Sequence, residues 1–204
     1  MKQDMAKEQF TDLGYQKQKL LGFFGELNIE DRGGALQALE LAERAHKGQL
    51  RDIGIPYIIH PIRAAIILLE EVGIKEPDIL CALLLHDVAE DTSVDIETME
   101  EQFGSKVVRL VKGVTRERLS DETEEQKAKS KQKKIQALAK SDKEVRLIKL
   151  CDRLDNRRSE ELTPENHPSR KKFERWDKEF KQYIPIAKAT NIKLYKLFKA
   201  YEAG

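Results

Sequence analysis

Residues 80–91 read Leu80-Cys81-Ala82-Leu83-Leu84-Leu85-His86-Asp87-Val88-Ala89-Glu90-Asp91. The first six are uncharged, so this segment is apolar on every side, which predicts a buried element rather than an amphipathic one. The segment then ends abruptly in the pairs His86-Asp87 and Glu90-Asp91. Because His86 and Glu90 are four residues apart, they would share one face of a continuous helix.

Carboxylates beside a buried segment are unfavourable unless a cation or a metal compensates them. The pattern at residues 86–91 therefore indicates a candidate metal or catalytic site. The alternative is a helix end that emerges into water, where acidic side chains are simply solvated.

Composition favours a soluble helical protein of 204 residues, long enough for one domain with a full core. Charged residues make up 36% and aromatic residues 6%, and the net charge of +1 gives no field that points to nucleic acid or a membrane. The sequence contains neither a long apolar run nor a signal peptide, so a cytoplasmic location is expected. Cys81 and Cys151 are predicted to be free and buried.

Three parts are predicted along the chain. Residues 1–33 form an N-terminal helical extension that breaks at Gly33-Gly34, and residues 34–160 form the core. Residues 161–204 form helices that pack on this core, with an aromatic stripe of Phe173, Trp176, Phe180 and Tyr183 and a last helix beginning at Pro185.

The helix predicted over residues 35–47 places His46 on its buried face. Ala35, Leu39, Ala42 and His46 recur at helical spacing. A single histidine on such a face is usually a core residue with satisfied hydrogen bonds, and it becomes a candidate ligand only if other ligand types converge on it.

A loop rich in turn residues follows, and it contains two candidate ligand contacts. Arg51 offers a cation and Tyr57 a ring to a bound molecule, although a surface arginine and a packed tyrosine would explain them equally well. His60-Pro61 begins the next helix. We expect His60 to brace a site, not to act as a metal ligand.

Asp152 is the least expected residue of the helix predicted over residues 142–158. Val145, Ile148, Asp152 and Asn156 share one apolar stripe, so Asp152 needs a cation or a metal as a partner. A salt bridge to another helix is the alternative. The preceding segment, residues 121–140, is acidic first and basic later, which suits a solvated helix or a cationic rim for a phosphorylated ligand.

His46, His86, Asp87 and Asp152 together combine nitrogen and oxygen donors from three helical segments. Such a set suits a divalent ion of the manganese or iron type, which would activate water for hydrolysis of a phosphate ester. Glu90 and Asp91 are the candidate catalytic carboxylates that accept a proton from that water or orient it.

The sequence resembles the HD-domain phosphohydrolases, and within them the hydrolase domain of the RelA/SpoT alarmone enzymes. The matching segments occur in the family's order: Ala45-His46-Lys47-Gly48-Gln49, Pro56-Tyr57-Ile58-Ile59-His60-Pro61, Leu84-Leu85-His86-Asp87-Val88-Ala89-Glu90-Asp91-Thr92, Phe103-Gly104, Gly113-Val114-Thr115 and Ile148-Lys149-Leu150-Cys151-Asp152-Arg153-Leu154-Asp155-Asn156.

The resemblance implies an all-α, single-domain HD-domain helical bundle that binds one Mn²⁺ ion. It implies His46, His86, Asp87 and Asp152 as metal ligands, Glu90 and Asp91 as the catalytic pair, and Asn156 and Arg51 as contacts to the nucleotide. The implied reaction removes pyrophosphate from the 3′ position of ppGpp or pppGpp to leave GDP or GTP, as in a stand-alone small alarmone hydrolase.

Two departures from the family pattern leave alternatives open. Asp52 follows Arg51 where the family usually has a basic residue, and Asp155 replaces a histidine or tyrosine and is expected to add negative charge near the site. One alternative is a phosphohydrolase of another nucleotide, such as an adenosine alarmone, pGpp or NADPH. The other is a non-catalytic nucleotide-binding or antitoxin-like module.

Overall fold

The protein is described by a computed structural model that covers residues 2–115 and 123–202. Within these residues it is helical and has no strand, apart from a single bridge between Leu50 and Pro56. The all-α prediction is therefore confirmed. The helices are α1 (Lys2–Thr11), α2 (Leu13–Phe24), α3 (Ile29–Ala45), α4 (Ile59–Ile66), α5 (Pro77–Leu85), α6 (Val88–Asp91), α7 (Ile96–Val114), α8 (Glu124–Lys140), α9 (Lys143–Glu161), α10 (Phe173–Lys181), α11 (Ile184–Thr190) and α12 (Ile192–Lys199).

Helix α5 lies at the centre of one continuous core. It begins at Pro77, and every residue from Ile79 to Leu85 is buried. It packs against α3, α4, α7 and α9. Each fully buried leucine contributes about 1.5–3 kcal/mol relative to an exposed one, so the run of leucines is a principal source of stability.

The helix ends sooner than the sequence pattern predicts. His86 terminates α5, and Glu90 belongs to the separate short helix α6. The expectation that His86 and Glu90 share one helical face is therefore wrong. The turn at His86-Asp87 separates α5 from α6, and Asp87 and Asp91 both still reach the hydroxyl of Tyr57.

Helix α3 runs through Gly33 and Gly34, so the predicted break at these glycines is wrong. The side chain of Asn28 accepts a hydrogen bond from the backbone N–H of Asp31 and caps the first turn. A cap and buried alanines such as Ala35 offset the roughly 1 kcal/mol that each glycine costs a helix. The division of the chain at residues 33 and 160 stays a prediction.

A glycine does interrupt α7. Gly104 has φ 81° and ψ 162°, so two helical segments meet there. The start predicted for α8, at residues 121 and 122, lies outside the described residues. The other end of that helix, Lys140, agrees with the prediction.

The C-terminal region packs on α9 through α10, α11 and α12. The ring of Phe180 stacks on Phe198 with centroids 4.6 Å apart. Phe180 and Tyr183 are buried as predicted, whereas Phe173 and Trp176 are half-buried. The single last helix predicted from Pro185 is two helices, because Asn191 adopts an extended backbone and its side chain caps α12.

Candidate metal and nucleotide site

Three helices bring His60, His86 and Asp152 together beneath the surface. The Nε2 atom of His60 lies 3.1 Å from Oδ1 of Asp152, and Nε2 of His86 lies 3.8 Å from the same oxygen. One ligand atom from each of the three residues lies within 4.8 Å of the other two. We call these three residues the metal group.

Asp87 adjoins the metal group from the turn after α5. Its Oδ2 atom is 3.3 Å from Nε2 of His86 and 3.6 Å from Nε2 of His60. The hydroxyl of Tyr57 donates a 2.7 Å hydrogen bond to the same oxygen and lies 3.3 Å from Oδ2 of Asp91. Tyr57 therefore fixes the position of Asp87 and links it to Asp91.

A hydrogen bond at Nδ1 orients each of the two histidines of the metal group. The Nδ1–H of His86 donates to the carbonyl of Leu83 at 2.7 Å, and that of His60 donates to the carboxylate of Asp155 at 2.6 Å. Each imidazole thus turns Nε2 toward Asp152. A hydrogen bond at the far nitrogen is how metal-binding histidines are usually held in one tautomer.

The donor atoms fit a divalent cation. Among the described residues, nothing forms a hydrogen bond with Nε2 of His86, although this atom is buried. Burial alone would lower the pKa of His86, but the adjacent Asp87 and Asp152 carboxylates raise it to about 9. The site thus favours a positive charge, and two imidazole nitrogens with carboxylate oxygens suit manganese, iron or zinc.

His46 does not belong to this group, whereas His60 does. The Nδ1–H of His46 donates to Oε1 of Gln49 at 2.8 Å, and its ring packs on Tyr57. The side-chain amide of Gln49 in turn donates to the carbonyl of Asp91. His46 is thus held at Nδ1 like the other two histidines, and its buried Nε2 has no hydrogen-bond partner among the described residues, so its assignment as a ligand stays a prediction.

A signal for His60 was available in the sequence. All eight residues of α4 are buried, among them His60 and Arg63. A polar residue in a helix that is buried all round needs a partner, which is the argument that identified Asp152. Because α4 is short and has no exposed polar face, its periodicity does not single out His60.

Asp155 is fully buried and is clamped by Arg63. The guanidinium of Arg63 donates to both oxygens of Asp155, at 2.7 and 3.0 Å. Burial alone would raise the pKa of Asp155, but Arg63 and the hydrogen bond from His60 hold it well below its usual range. Asp155 therefore does carry negative charge near the site, and Arg63 compensates that charge.

Arg63 also reaches the N-terminal helix. It donates to the backbone carbonyl of Phe10 at 3.0 Å, and its guanidinium carbon lies 3.8 Å from the centre of the Phe10 ring. A further hydrogen bond reaches the hydroxyl of Ser159 at 2.7 Å. The chain Phe10–Arg63–Asp155–His60 therefore connects α1 to the metal group.

A cavity of about 340 Å³, the first cavity, lies beside Asp152 and is lined by Arg51, Tyr57, Asn156 and Trp176. Arg51 donates to Oδ1 of Asn156 at 2.8 Å, and Asn156 donates to Oδ1 of Asp152 at 2.5 Å. The three residues predicted to contact a nucleotide, Arg51, Tyr57 and Asn156, are thus brought to one wall.

Two further acidic residues, Asp52 and Glu90, have defined surroundings. Asp52 accepts a 2.8 Å hydrogen bond from the hydroxyl of Ser169, so its carboxylate is held by the C-terminal region at the edge of the first cavity. Glu90 is half-buried and faces Lys149 and Arg153 across another cavity. Lys149 also forms an ion pair with Asp152 at 2.8 Å, within one helix and not between helices.

Comparisons with known proteins agree with this geometry. A family model described as HD domain matches residues 38–189. The chain is 44% identical over 120 residues to a guanosine-3′,5′-bis(diphosphate) 3′-pyrophosphohydrolase of Aquifex aeolicus, covering 59% of this chain and 17% of that one. It is 33% identical over 170 residues to the protein of that name from Borreliella burgdorferi, covering 82% and 24%.

A solved structure is similar over most of both chains. It belongs to a metazoan ortholog of SpoT that hydrolyses ppGpp, with a TM-score of 0.70, 34% sequence identity, and coverage of 82% of this chain and 93% of that one. The chain spans no more than about a quarter of the length of the curated relatives named above. In the described ranges, no helix combines the length and the apolar character needed to cross a bilayer.

Proposed function

The chain belongs to the HD domain family, and on that premise we propose that it is a Mn²⁺-dependent 3′-pyrophosphohydrolase of ppGpp and pppGpp. The observation that carries the proposal is the buried metal group beside the first cavity. Nε2 of His86 has no hydrogen-bond partner among the described residues, and Asn156 links the cavity wall directly to Asp152. The relatives' names supply the substrate class.

In this proposal His46, His86, Asp87 and Asp152 hold the metal ion, and His60 lies close enough to join them. A bound Mn²⁺ would supply Lewis-acid activation of a water molecule and neutralise charge on the phosphate. His46 is kept as a ligand because its Nδ1 donates to Gln49, as metal-binding histidines are usually held, and its buried Nε2 has no hydrogen-bond partner among the described residues.

The reaction requires a water oxygen to bond to the phosphorus on the ribose 3′ oxygen. The bond between that phosphorus and the 3′ oxygen then breaks, and the 3′ oxygen takes up a proton. We assign Oδ2 of Asp91 as the proton acceptor for the water, because Tyr57 holds this carboxylate beside Asp87. Glu90 orients the water or returns the proton.

Arg51 and Asn156 bind the nucleoside. The hydrogen bond between them holds the guanidinium against the wall of the first cavity, 5.7 Å from the centre of the Tyr57 ring. A flat cation in this position can stack on a purine. Buried free thiols at Cys81 and Cys151 agree with a cytoplasmic location.

The direct test is to incubate the manganese-loaded protein with ppGpp and measure GDP and pyrophosphate. We expect release that stops when a chelator is added. The Asp152→Asn substitution should abolish release and weaken metal binding, whereas Asp142→Asn, at an exposed ion pair at the start of α9, should preserve both. Tight metal binding without turnover of ppGpp would contradict the proposal.

A substrate panel separates the guanosine alarmones from other nucleotides. It should contain ppGpp, its adenosine counterpart, pGpp and NADPH, at equal concentration. We expect the highest kcat/KM for ppGpp. A higher value for the adenosine compound or for NADPH would contradict the proposed substrate, and it would make Asp52, at the edge of the first cavity, the first residue to exchange for lysine.

A further inference from the structure

The side chain of Gln49 touches two parts of the site at once. Its Oε1 atom accepts a 2.8 Å hydrogen bond from Nδ1 of His46, and its Nε2 atom donates a 3.1 Å hydrogen bond to the backbone carbonyl of Asp91. One planar amide therefore joins a candidate metal ligand at the end of α3 to a candidate catalytic residue of α6. No step proposed so far uses Gln49.

The orientation of this amide follows from its two partners. A backbone carbonyl can only accept a hydrogen bond, so the amide nitrogen faces Asp91 and the amide oxygen faces His46. An oxygen in that place requires that Nδ1 of His46 carries a proton, which in the neutral ring leaves the lone pair on Nε2. That Nε2 is buried and has no hydrogen-bond partner in the described part of the chain. Gln49 therefore sets the tautomer in which His46 can bind a metal ion.

The turn that follows α3 does not need the Gln49 side chain. Gly48 has φ 82°, a left-handed conformation that glycine adopts without strain. The N–H of Gln49 donates to the carbonyl of His46 at 3.0 Å, and the carbonyl of Gln49 accepts from the N–H of Tyr57 at 2.9 Å. Because backbone hydrogen bonds already close the turn, the amide is available to link His46 to Asp91.

The position of Asp91 depends on contacts from outside its own helix. It is the last residue of α6, a single turn of four residues, and so short a helix has little stability of its own. Carbonyls at the end of a helix lack a partner within the helix, and Gln49 supplies one for Asp91. The carboxylate of Asp91 lies 3.3 Å from the hydroxyl of Tyr57, whose ring packs on His46 with centroids 4.8 Å apart. These four residues thus form a closed circuit of contacts.

We propose that Gln49 is a positioning residue, which fixes the ring of His46 and holds Asp91 where its carboxylate can accept a proton from the attacking water. The inference rests on the proposed function, which assigns that proton transfer to Asp91. In this role Gln49 contacts neither the substrate nor the metal ion. An amide suits the role because it accepts and donates in one plane and carries no charge.

Two substitutions separate the two contacts of the amide. Gln49→Glu keeps an oxygen for His46 but removes the donor to Asp91, whereas Gln49→Met keeps the length of the side chain and removes both contacts. With saturating Mn²⁺, kcat for ppGpp should fall about tenfold in Gln49→Glu and about 100-fold in Gln49→Met, and KM should change less than about threefold. Gln37→Glu and Gln37→Met, at an exposed glutamine of α3, are matched controls and should keep kcat within about twofold of the wild-type value.

The tautomer of His46 in the metal-free protein gives a measurement that needs no turnover. Nitrogen NMR should place the proton on Nδ1 in the wild-type protein and in Gln49→Glu, and it should show a mixture of tautomers in Gln49→Met. Calorimetric titration should show Mn²⁺ binding about tenfold weaker in Gln49→Met and less than about threefold weaker in Gln49→Glu. A purely structural contribution of Gln49 to the turn would leave the tautomer unchanged.

The outcomes distinguish failure of the positioning role from failure of the proposed function. Turnover of ppGpp by Gln49→Met with the wild-type kcat, or a His46 tautomer that does not change in this variant, would overturn the positioning role and leave the function standing. A wild-type protein that binds Mn²⁺ but does not cleave ppGpp would overturn the function. A changed tautomer and weaker Mn²⁺ binding in Gln49→Met would then still support the effect of Gln49 on His46.

Discussion

The two sides of the metal group differ in how their polar atoms are satisfied. On the back face, which consists of Phe10, Arg63 and Asp155, all three guanidinium nitrogens of Arg63 donate hydrogen bonds and both oxygens of Asp155 accept them. On the front face, formed by the two cavities, Nε of Arg153 has no acceptor among the described residues.

The difference shows which side holds the site and which side binds. A buried network with complete hydrogen bonding is rigid, and it fixes the ring of His60 before any ligand arrives. A buried donor without a partner is unfavourable until a ligand supplies an acceptor. The back face therefore positions the metal group, and the front face is the side with a buried donor that a ligand could satisfy.

The largest expected effect comes from breaking the back face at Arg63. Arg63→Met leaves the carboxylate of Asp155 buried without its cation, and removing one partner of a buried pair costs about 3–5 kcal/mol. Urea unfolding of the metal-free protein measures the loss. Arg109→Met, which removes an exposed arginine paired with Asp142, should cost less than about 1 kcal/mol. Equal losses would mean that the buried pair does not stabilise the fold.

The pH dependence of the free energy of unfolding of the metal-free protein tests whether the carboxylates around His86 stabilise its protonated form. Its pKa is raised to about 9 in the folded state, where burial lowers it but Asp87 and Asp152 raise it more. The stabilisation that protonated His86 gives the fold is fully present below the unfolded pKa of about 6.5, and it is lost as the pH rises through about 9. We expect the free energy of unfolding to fall by a few kcal/mol over this range.

The matched variant for that titration is His86→Gln, which should remove most of the pH dependence in the same range. Saturating Mn²⁺ should also flatten the curve for the wild-type protein, since a bound cation would replace the proton as the positive charge between the carboxylates. A flat curve for the metal-free wild-type protein would show that the imidazolium is not stabilised.

Asp155, whose carboxylate accepts a hydrogen bond from Nδ1 of His60, should affect metal affinity more than stability. Asp155→Asn keeps an oxygen that can accept from His60 but removes the charge, and loss of such an outer partner typically weakens metal binding 10- to 100-fold. Titration with Mn²⁺ measures the change. Ser159→Ala removes a hydrogen bond to Arg63 from the same network without touching His60, and it should weaken binding less than threefold. Equal weakening of Mn²⁺ binding by the two substitutions would show that the charge of Asp155 has no specific effect on the ion.

The sequence was most informative where a residue conflicts with its local pattern. The run of uncharged residues from Leu80 to Leu85 predicted the buried α5, and the position of Asp152 on an apolar stripe marked it as a site residue. Periodicity was less informative about partners. It placed His46 and other residues on a buried face, but it did not indicate which buried residues meet, and that depends on how α3, α4 and α9 pack.

The errors have specific physical causes. A helix that turns at His86 cannot be distinguished from one that continues, because nothing in residues 86–91 is a strong helix breaker. The cation that compensates Asp155, Arg63, was not predicted because it is 92 residues away in the sequence. Contacts between residues so far apart in one sequence are set by tertiary structure, so the back face became visible only in three dimensions.

The smallest expected effect is at the outer end of the back face. Phe10→Leu removes the ring that lies 3.8 Å from Arg63 and keeps the backbone carbonyl that accepts from it. A partly exposed cation–π contact contributes about 0.5–1 kcal/mol, so the free energy of unfolding should fall by about that amount. Phe103→Leu, at a half-buried phenylalanine of α7, controls for the loss of aromatic area. If the ring steadies Arg63, Mn²⁺ affinity should fall up to threefold in Phe10→Leu and stay unchanged in Phe103→Leu. A change in stability with no change in Mn²⁺ affinity would mean that α1 supports the fold but does not influence the metal group.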